Sequence, residues 1–202
     1  MVEAYPDLAR RILDRPARLG RTRLVAVDGP SGAGKTVFAG RLATAIGAAH
    51  GTAAPVVHTD DLLDGWADQL TFWLRLDDWV LAPLRAGRPG RYRRYSWPRG
   101  HFTRRWVTVP PAPVVILEGV SSARAAIAPE LTFAVFVTAP ARLRRERGLA
   151  RDGVALLPQL TAWRRGERAH FAADRTADRA DLLVDGAAGA AYDDAGRYVR
   201  SR

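Results

Sequence analysis

Hydrophobic residues fall along this chain in two rhythms. The first is a set of short apolar runs: Leu24–Val27, Pro55–Thr59, Val114–Leu117, Phe133–Thr138 and Asp181–Val184. None alternates strictly with polar residues, as expected of strands covered on both faces in a parallel sheet. The second rhythm has helical spacing. Tyr5–Leu19 carries Leu8, Ile12 and Leu13 on one face with Pro6 in its first turn, and Val37–Ile46 carries Phe38, Leu42, Ala45 and Ile46. Strands that alternate with helices predict a doubly wound α/β fold of three layers, α/β/α, around a five-stranded parallel sheet.

Three stretches depart from these rhythms. Gly87–Pro113 is rich in Arg, Gly, Pro and aromatic residues, and Arg105–Val109 alternates, so it reads as an inserted segment with a small hairpin on the substrate side. Arg142–Arg151 is a helix dense in arginine, and residues 142–153 form a candidate lid. From 187 to 202 the chain opens on Ala-Ala-Gly-Ala-Ala and is expected to be a flexible tail. No repeat or linker divides the sequence, so residues 1–202 read as a single domain. The first 20 residues either cover the sheet edge or form a homodimer contact.

Composition narrows the classes. Hydrophobic content of 48% and charged content of 26% are globular values. No apolar run is long enough to span a membrane, and no export signal is visible at the N-terminus. Without cysteine there are no disulfides or thiolate metal sites, which fits a cytoplasmic protein. The net charge of +10 raises the question of nucleic acid. The bias of arginine over lysine looks like a compositional habit, however, and part of the excess lies in two tracts that a phosphate-handling enzyme would want basic. A small-molecule substrate is therefore expected in preference to nucleic acid.

Of the 31 Lys and Arg residues, one is lysine. It stands in Gly29-Pro30-Ser31-Gly32-Ala33-Gly34-Lys35-Thr36, followed by Val37, which fits the phosphate-loop pattern G-x-x-x-x-G-K-[ST]. A strand feeds this loop and a helix leaves it. Its amides and the helix N-terminus can cradle anionic oxygens, and the glycines let the backbone wrap closely. A compact ammonium reaches the terminal phosphates as a guanidinium cannot. The Thr36 hydroxyl is a ligand for Mg²⁺, which keeps most of its waters.

Two acidic positions follow strands. Asp60-Asp61 ends the second, where α/β sheets bind ligands. One of the pair can take a proton from an acceptor hydroxyl while the other caps the next helix or meets the acceptor. Asp60 is the leading base, and Asp61 is placed with the substrate. Glu118 ends Val114-Val115-Ile116-Leu117 and can hold Mg²⁺ through water. In the lid, Arg147 and Arg151 share a helical face and can neutralise charge on a transferring phosphoryl group. In the insertion, Arg91-Tyr92-Arg93-Arg94-Tyr95-Ser96-Trp97, with Arg99, either grips a small aromatic substrate, stacks on bases, or packs on the domain. Trp66 and Trp79 are expected to pack. The four histidines show no metal spacing.

These features together resemble the uridine kinase group of P-loop kinases, which includes phosphoribulokinase, pantothenate kinase and nicotinamide riboside kinase. The resemblance spans about Leu24 to Gly186 and rests on Gly29–Thr36, Asp60-Asp61, Ile116-Leu117-Glu118-Gly119, the arginine lid and Ala180–Val184. It implies a P-loop NTPase fold and transfer of the γ-phosphoryl group of ATP, with Mg²⁺, to a hydroxyl of a small molecule, a nucleoside such as uridine or cytidine first. Asp60 takes the place of the family's base and Glu118 that of its Ile-Glu-Gly acid. Tyr95-Ser96-Trp97 stands where a nucleoside-contacting Tyr-Asp-Phe is found, with serine for the acid. The pair Leu62-Leu63 replaces the aromatic residues that follow the family's acids. The readings kept beside it are a kinase of another small hydroxyl compound (sugar, vitamin precursor or antibiotic) and a nucleic-acid-associated P-loop NTPase.

Overall fold

The structure is a computed structural model and describes residues 1–187 and 196–201. Five parallel strands form the central sheet: β2 (Arg23–Asp28), β3 (Val56–His58), β6 (Val114–Glu118), β7 (Leu131–Thr138) and β8 (Leu182–Asp185), in the order β3-β6-β2-β7-β8. They are the five apolar runs of the sequence. Side chains leave a strand alternately on its two faces, so each run feeds two cores. Val25, Val27, Ile116, Phe133 and Val135 pack with Leu8 and Ile12 of α1 (Tyr5–Leu13) and with Phe38, Leu42 and Ile46 of α2 (Lys35–His50). On the opposite face Leu24, Ala26, Val115 and Leu117 pack with Leu62, Phe72, Leu76, Val80 and Trp163. The result is the three-layer α/β architecture.

α1 ends at Leu13, short of the expected Leu19. Proline at 16 disfavours helical backbone in the residue before it, and the chain instead bridges Leu19 to Thr22 before entering β2. The insertion holds a full hairpin of β4 (Gly90–Ser96) and β5 (His101–Val109), larger than the alternation of Arg105–Val109 suggests. It is preceded by α3 (Trp73–Leu76), which runs through a π-helical turn (Asp77–Leu81) into α4 (Ala82–Arg85). The arginine segment is α5 (Ala141–Asp152), followed by α6 (Leu157–Asp174) and α7 (Thr176–Arg179).

Two strands escape the hydrophobic pattern. β1 (Val2–Ala4) pairs antiparallel with β9 (Arg197–Val199), so part of the stretch expected to be a flexible tail is a strand. Residues 188–195 and 202 of that stretch lie outside the described residues. Among the described residues no helix is long and apolar enough to cross a membrane.

Candidate active site

The loop between β2 and α2 wraps the N-terminus of α2. Gly29 has φ +137°, and a Cβ there would collide with the Val137 carbonyl. Gly32 has φ +78°, with the carbonyl of Arg144 in α5 lying 2.6 Å from where its Cβ would be. This backbone therefore requires glycine. The expected phosphate-site residues divide in two. Ser31, Gly32, Gly34, Lys35, Thr36 and Val37 line a cavity of about 670 Å³. Gly29, Pro30 and Ala33 do not line it: Ala33 is buried, and the Pro30 carbonyl accepts a 3.2 Å hydrogen bond from Lys35 Nζ.

Sheet register assembles the remaining chemistry. His58 of β3 lies opposite Glu118 of β6, and Glu118 lies opposite Val27 of β2, one residue before the loop strand ends. Asp60 follows on a 3₁₀ turn, Thr59–Leu62. Asp60, Glu118, Arg147 and Arg151 all line the same cavity as Lys35 and Thr36. Its walls carry five cationic residues (Lys35, Arg41, Arg147, Arg151, Arg197) and three acidic ones (Asp60, Glu118, Asp185). Such a balance suits a polyanion.

The local fields differ from residue to residue. Asp60 opens to the cleft yet is crowded by protein, and its pKa is raised. Loss of solvation contributes most, with Glu118 and Asp61 adding like charge, while Lys35 and Arg151 oppose the rise. Asp61 is also raised by burial, against the pull of Arg94, His58 and the Tyr92 hydroxyl. Glu118 is buried and meets His58 Nδ1 through Oε2 at 2.6 Å. That bond raises the pKa of His58, burial opposes it, and the nearby acids reinforce it. Arg147 spends Nη1 on the carbonyls of Gly32 (3.1 Å) and Gly186 (3.0 Å), tying the lid helix to the phosphate loop and the end of β8. Arg151 pairs through Nε and Nη2 with Asp152, at 2.8 Å each, and also feels the charges of Asp60 and Glu118.

The expected acceptor residues are placed differently. Asp61 lies next to the site, but its partners are Tyr92 (3.3 Å) and Arg94 (3.1 Å) of β4. Tyr95 and Trp97 do not line the cavity. They belong to an aromatic chain in which Tyr95 meets Phe102 and Trp97, and Trp97 meets Trp66, with centroids 5.0–5.4 Å apart. Arg99 sits in the turn between β4 and β5, its amide bonded to the Ser96 carbonyl. Trp66 and Trp79 pack, as expected: Trp66 on Trp97 and Trp163, Trp79 on Phe102 and Trp106.

Sequence reasoning missed three residues that brace the loop. Asp28 is fully buried and accepts amide hydrogen bonds from Gly29 (2.6 Å), Ser121 (3.0 Å) and Ala123 (2.8 Å). Burial pushes its pKa up to about 7, against the pull of those amides and of Lys35. Glu167 of α6 is buried and accepts from the Ser31 amide (2.8 Å), the Ser31 hydroxyl and the Trp163 indole (2.8 Å). An acid directly before the first glycine was the one visible signal for Asp28. Nothing in the spacing pointed to Trp163 or Glu167, which lie more than a hundred residues from the loop.

Thr36 and Glu118 both line this cavity and supply hard oxygen donors, the donor type suited to Mg²⁺ with most of its waters retained. Glu118 commits only Oε2 to His58, so Oε1 remains for a metal-bound water.

No protein-family model matches the chain, and no curated protein matches it in sequence. Solved structures do match. A provisionally described uridine kinase from Bacillus stearothermophilus superposes with a TM-score of 0.64 at 20% identity, covering 89% of this chain and 96% of its own. A provisionally described fructose transport system kinase from Silicibacter sp. TM1040 gives 0.63 at 19% identity, covering 83% and 95%. The D-glycerate 3-kinase of Cryptococcus neoformans gives 0.55 at 13%, covering 91% and 95%. At these identities the likeness establishes a shared three-layer α/β fold and nothing of activity.

Proposed function

We propose that this protein is an ATP-dependent small-molecule kinase that transfers the γ-phosphoryl group to an acceptor hydroxyl, with a nucleoside such as uridine or cytidine as the leading acceptor. The observation that carries this reading is the convergence of Lys35, Thr36, Asp60, Glu118 and Arg151 on one cavity at the carboxyl ends of the strands. Lys35 and the loop amides hold the terminal phosphates. Thr36, and Glu118 through water, hold Mg²⁺, which when bound neutralises developing charge on the phosphates. Asp60 accepts the acceptor's proton, and its raised pKa makes it a better base than an ordinary aspartate. The acceptor oxygen bonds to the γ-phosphorus as the bridging oxygen leaves with ADP. Arg151 balances charge on the transferring group, and Arg147 keeps the lid helix seated on the loop. Asp61, held by Tyr92 and Arg94, faces the acceptor side, with Tyr95, Trp97 and Arg99 beyond it in the hairpin. The adenine lies by the Val184–Gly186 segment, and the protein works in the cytoplasm.

A second reading of the acceptor is favoured by one feature. Gly87–Pro113 contains seven arginines and no acid, a composition suited to a hydroxy acid or a phosphorylated sugar. Release of ADP from MgATP, followed with uridine, cytidine, D-glycerate, fructose and fructose 6-phosphate in turn, decides between them. Turnover of a nucleoside alone supports the first reading. Turnover confined to the anionic compounds supports the second. The kinase proposal fails if calorimetry detects no binding of MgATP or MgGTP.

A further inference from the structure

A second cavity, of about 210 Å³, lies at the opposite end of the sheet from the phosphate loop. It opens beside Leu131, Thr132 and Ala134 at the amino end of β7 and beside Asp181, the residue before β8. None of its lining residues lines the larger cavity. Three arginines reach it: Arg15 and Arg18 from the segment between α1 and β2, and Arg179 from the end of α7. The kinase reading uses none of them.

We infer that this cavity binds a phosphate group, as the free ion or as the head of a small phosphate monoester. Two of its guanidinium groups are held in place by the fold. Arg15 Nη1 donates to the Thr132 carbonyl (3.1 Å) and to Asp181 Oδ1 (2.7 Å), and its guanidinium lies 4.5 Å from the centre of the Phe133 ring. Arg179 Nη2 donates to the Ala123 carbonyl (3.1 Å) and to Asp174. The backbone that carries Arg15 and Arg18 is tied down as well. Arg23 Nε donates to the Arg15 carbonyl at 2.7 Å, and the Thr132 hydroxyl donates to the Pro16 carbonyl at 3.0 Å. Cations already ordered in this way lose little entropy when an anion arrives.

The third arginine supplies the unbalanced charge. Three cations stand against Asp181 in the cavity wall and Asp174 behind Arg179, which leaves one positive charge in excess. Among the described residues Arg18 has neither a hydrogen bond nor an ion pair, so the excess is its own. Asp181 does little to repel an anion, because Oδ1 is spent on Arg15 and Oδ2 accepts the Ala134 amide at 2.8 Å. Guanidinium groups from three segments suit a tetrahedral oxyanion, which carries about −1.5 to −2 charges at neutral pH as a monoester. Ala123, Ala128 and Leu131 supply apolar wall between them. The volume falls below the range of about 300–1,000 Å³ that encloses drug-sized ligands, so it admits a phosphate with a few carbons and does not enclose a nucleotide.

Calorimetric titration of the full chain with inorganic phosphate and with glycerol 3-phosphate tests the assignment, with ionic strength held constant by sodium chloride. The phosphate loop is a second place for either ligand, so the wild type is compared with Arg18→Gln and with Lys35→Ala. Arg18 is exposed and makes no bond within the protein, so its replacement leaves the fold's own contacts intact. One binding event should weaken about tenfold in Arg18→Gln, the loss of one charge-assisted hydrogen bond, and stay unchanged in Lys35→Ala. The Kd for MgATP should be the same in Arg18→Gln as in the wild type. The ligand that binds more tightly in that event identifies the source of the phosphate group. No binding of either ligand in the millimolar range would overturn the site. So would binding that Arg18→Gln leaves intact, or that Lys35→Ala alone removes. Failure to bind MgATP bears on the kinase reading and leaves this site standing.

Discussion

The proposed phosphate side and the proposed acceptor side of this molecule are built from different materials. The first is made of consecutive residues: one loop with its amides, glycines and single lysine, braced by Asp28 and by Glu167. The acceptor side is made of side chains that meet from distant segments. Asp61 comes from a 3₁₀ turn, and Tyr92 and Arg94 from the hairpin. The aromatic chain joins the hairpin to Trp66 and, through Trp163 in α6, to the loop. Backbone chemistry tolerates few sequences, because positive φ and close approach demand glycine at fixed spacing. Side-chain chemistry can be supplied by many combinations. The first kind of site fixes a reaction class, and the second is free to change its acceptor.

Substitutions on either side test how separate the two halves are. The largest effect is expected from Lys35→Ala, which should lower kcat by about 10³-fold or more by removing charge stabilisation of the transferring group. Full activity of a folded variant would break the assignment. Asp60→Asn should lower kcat by about 10²-fold or more while the Kd for MgATP stays near its wild-type value, because the carboxylate is proposed to take the acceptor's proton. A large loss of ATP affinity would move Asp60 to the phosphate side.

Asp28→Asn keeps the shape but turns an NH₂ group toward an amide donor. It should cost about 1–3 kcal/mol of stability in chemical denaturation. The pH dependence carries a sign as well. Folded Asp28 holds its proton up to about pH 7, whereas the ordinary value is 3.8. Folding stability should therefore fall as pH rises through that window and level off above it. Asp28→Asn removes this part of the slope, and an unchanged slope would refute the shift. The smallest effect sharpens the comparison from the other side. Arg94→Gln should raise the acceptor KM about five- to tenfold with the KM for ATP unchanged, and equal changes in both would erase the division.

The same contrast explains what the sequence disclosed. The five central strands were legible because each is an unbroken apolar run, and the phosphate loop because its chemistry is local. Glu118 and Asp60 were legible as acids just beyond apolar strands. β1 and β9 were not, since Val-Glu-Ala and Arg-Tyr-Val are three residues long and half polar; they exist through pairing across nearly the whole chain. Proline at 16 gave a signal for the early end of α1 that helical spacing alone concealed. The partnership of His58 with Glu118 depends on strand register. Tyr92 and Arg94 were passed over for Tyr95 and Trp97, because alternation along a bulged hairpin does not reveal which face meets Asp61.

The indole nitrogen of Trp163 lies 2.9 Å from the Ser31 hydroxyl. A chromophore is thus wired to the phosphate loop, and any ligand that shifts Ser31 will alter the polarity around that ring. Emission from the unlabelled chain, with Trp163→Phe as the blank for the other five tryptophans, becomes an optical gauge of loop occupancy that needs no turnover and no knowledge of the acceptor.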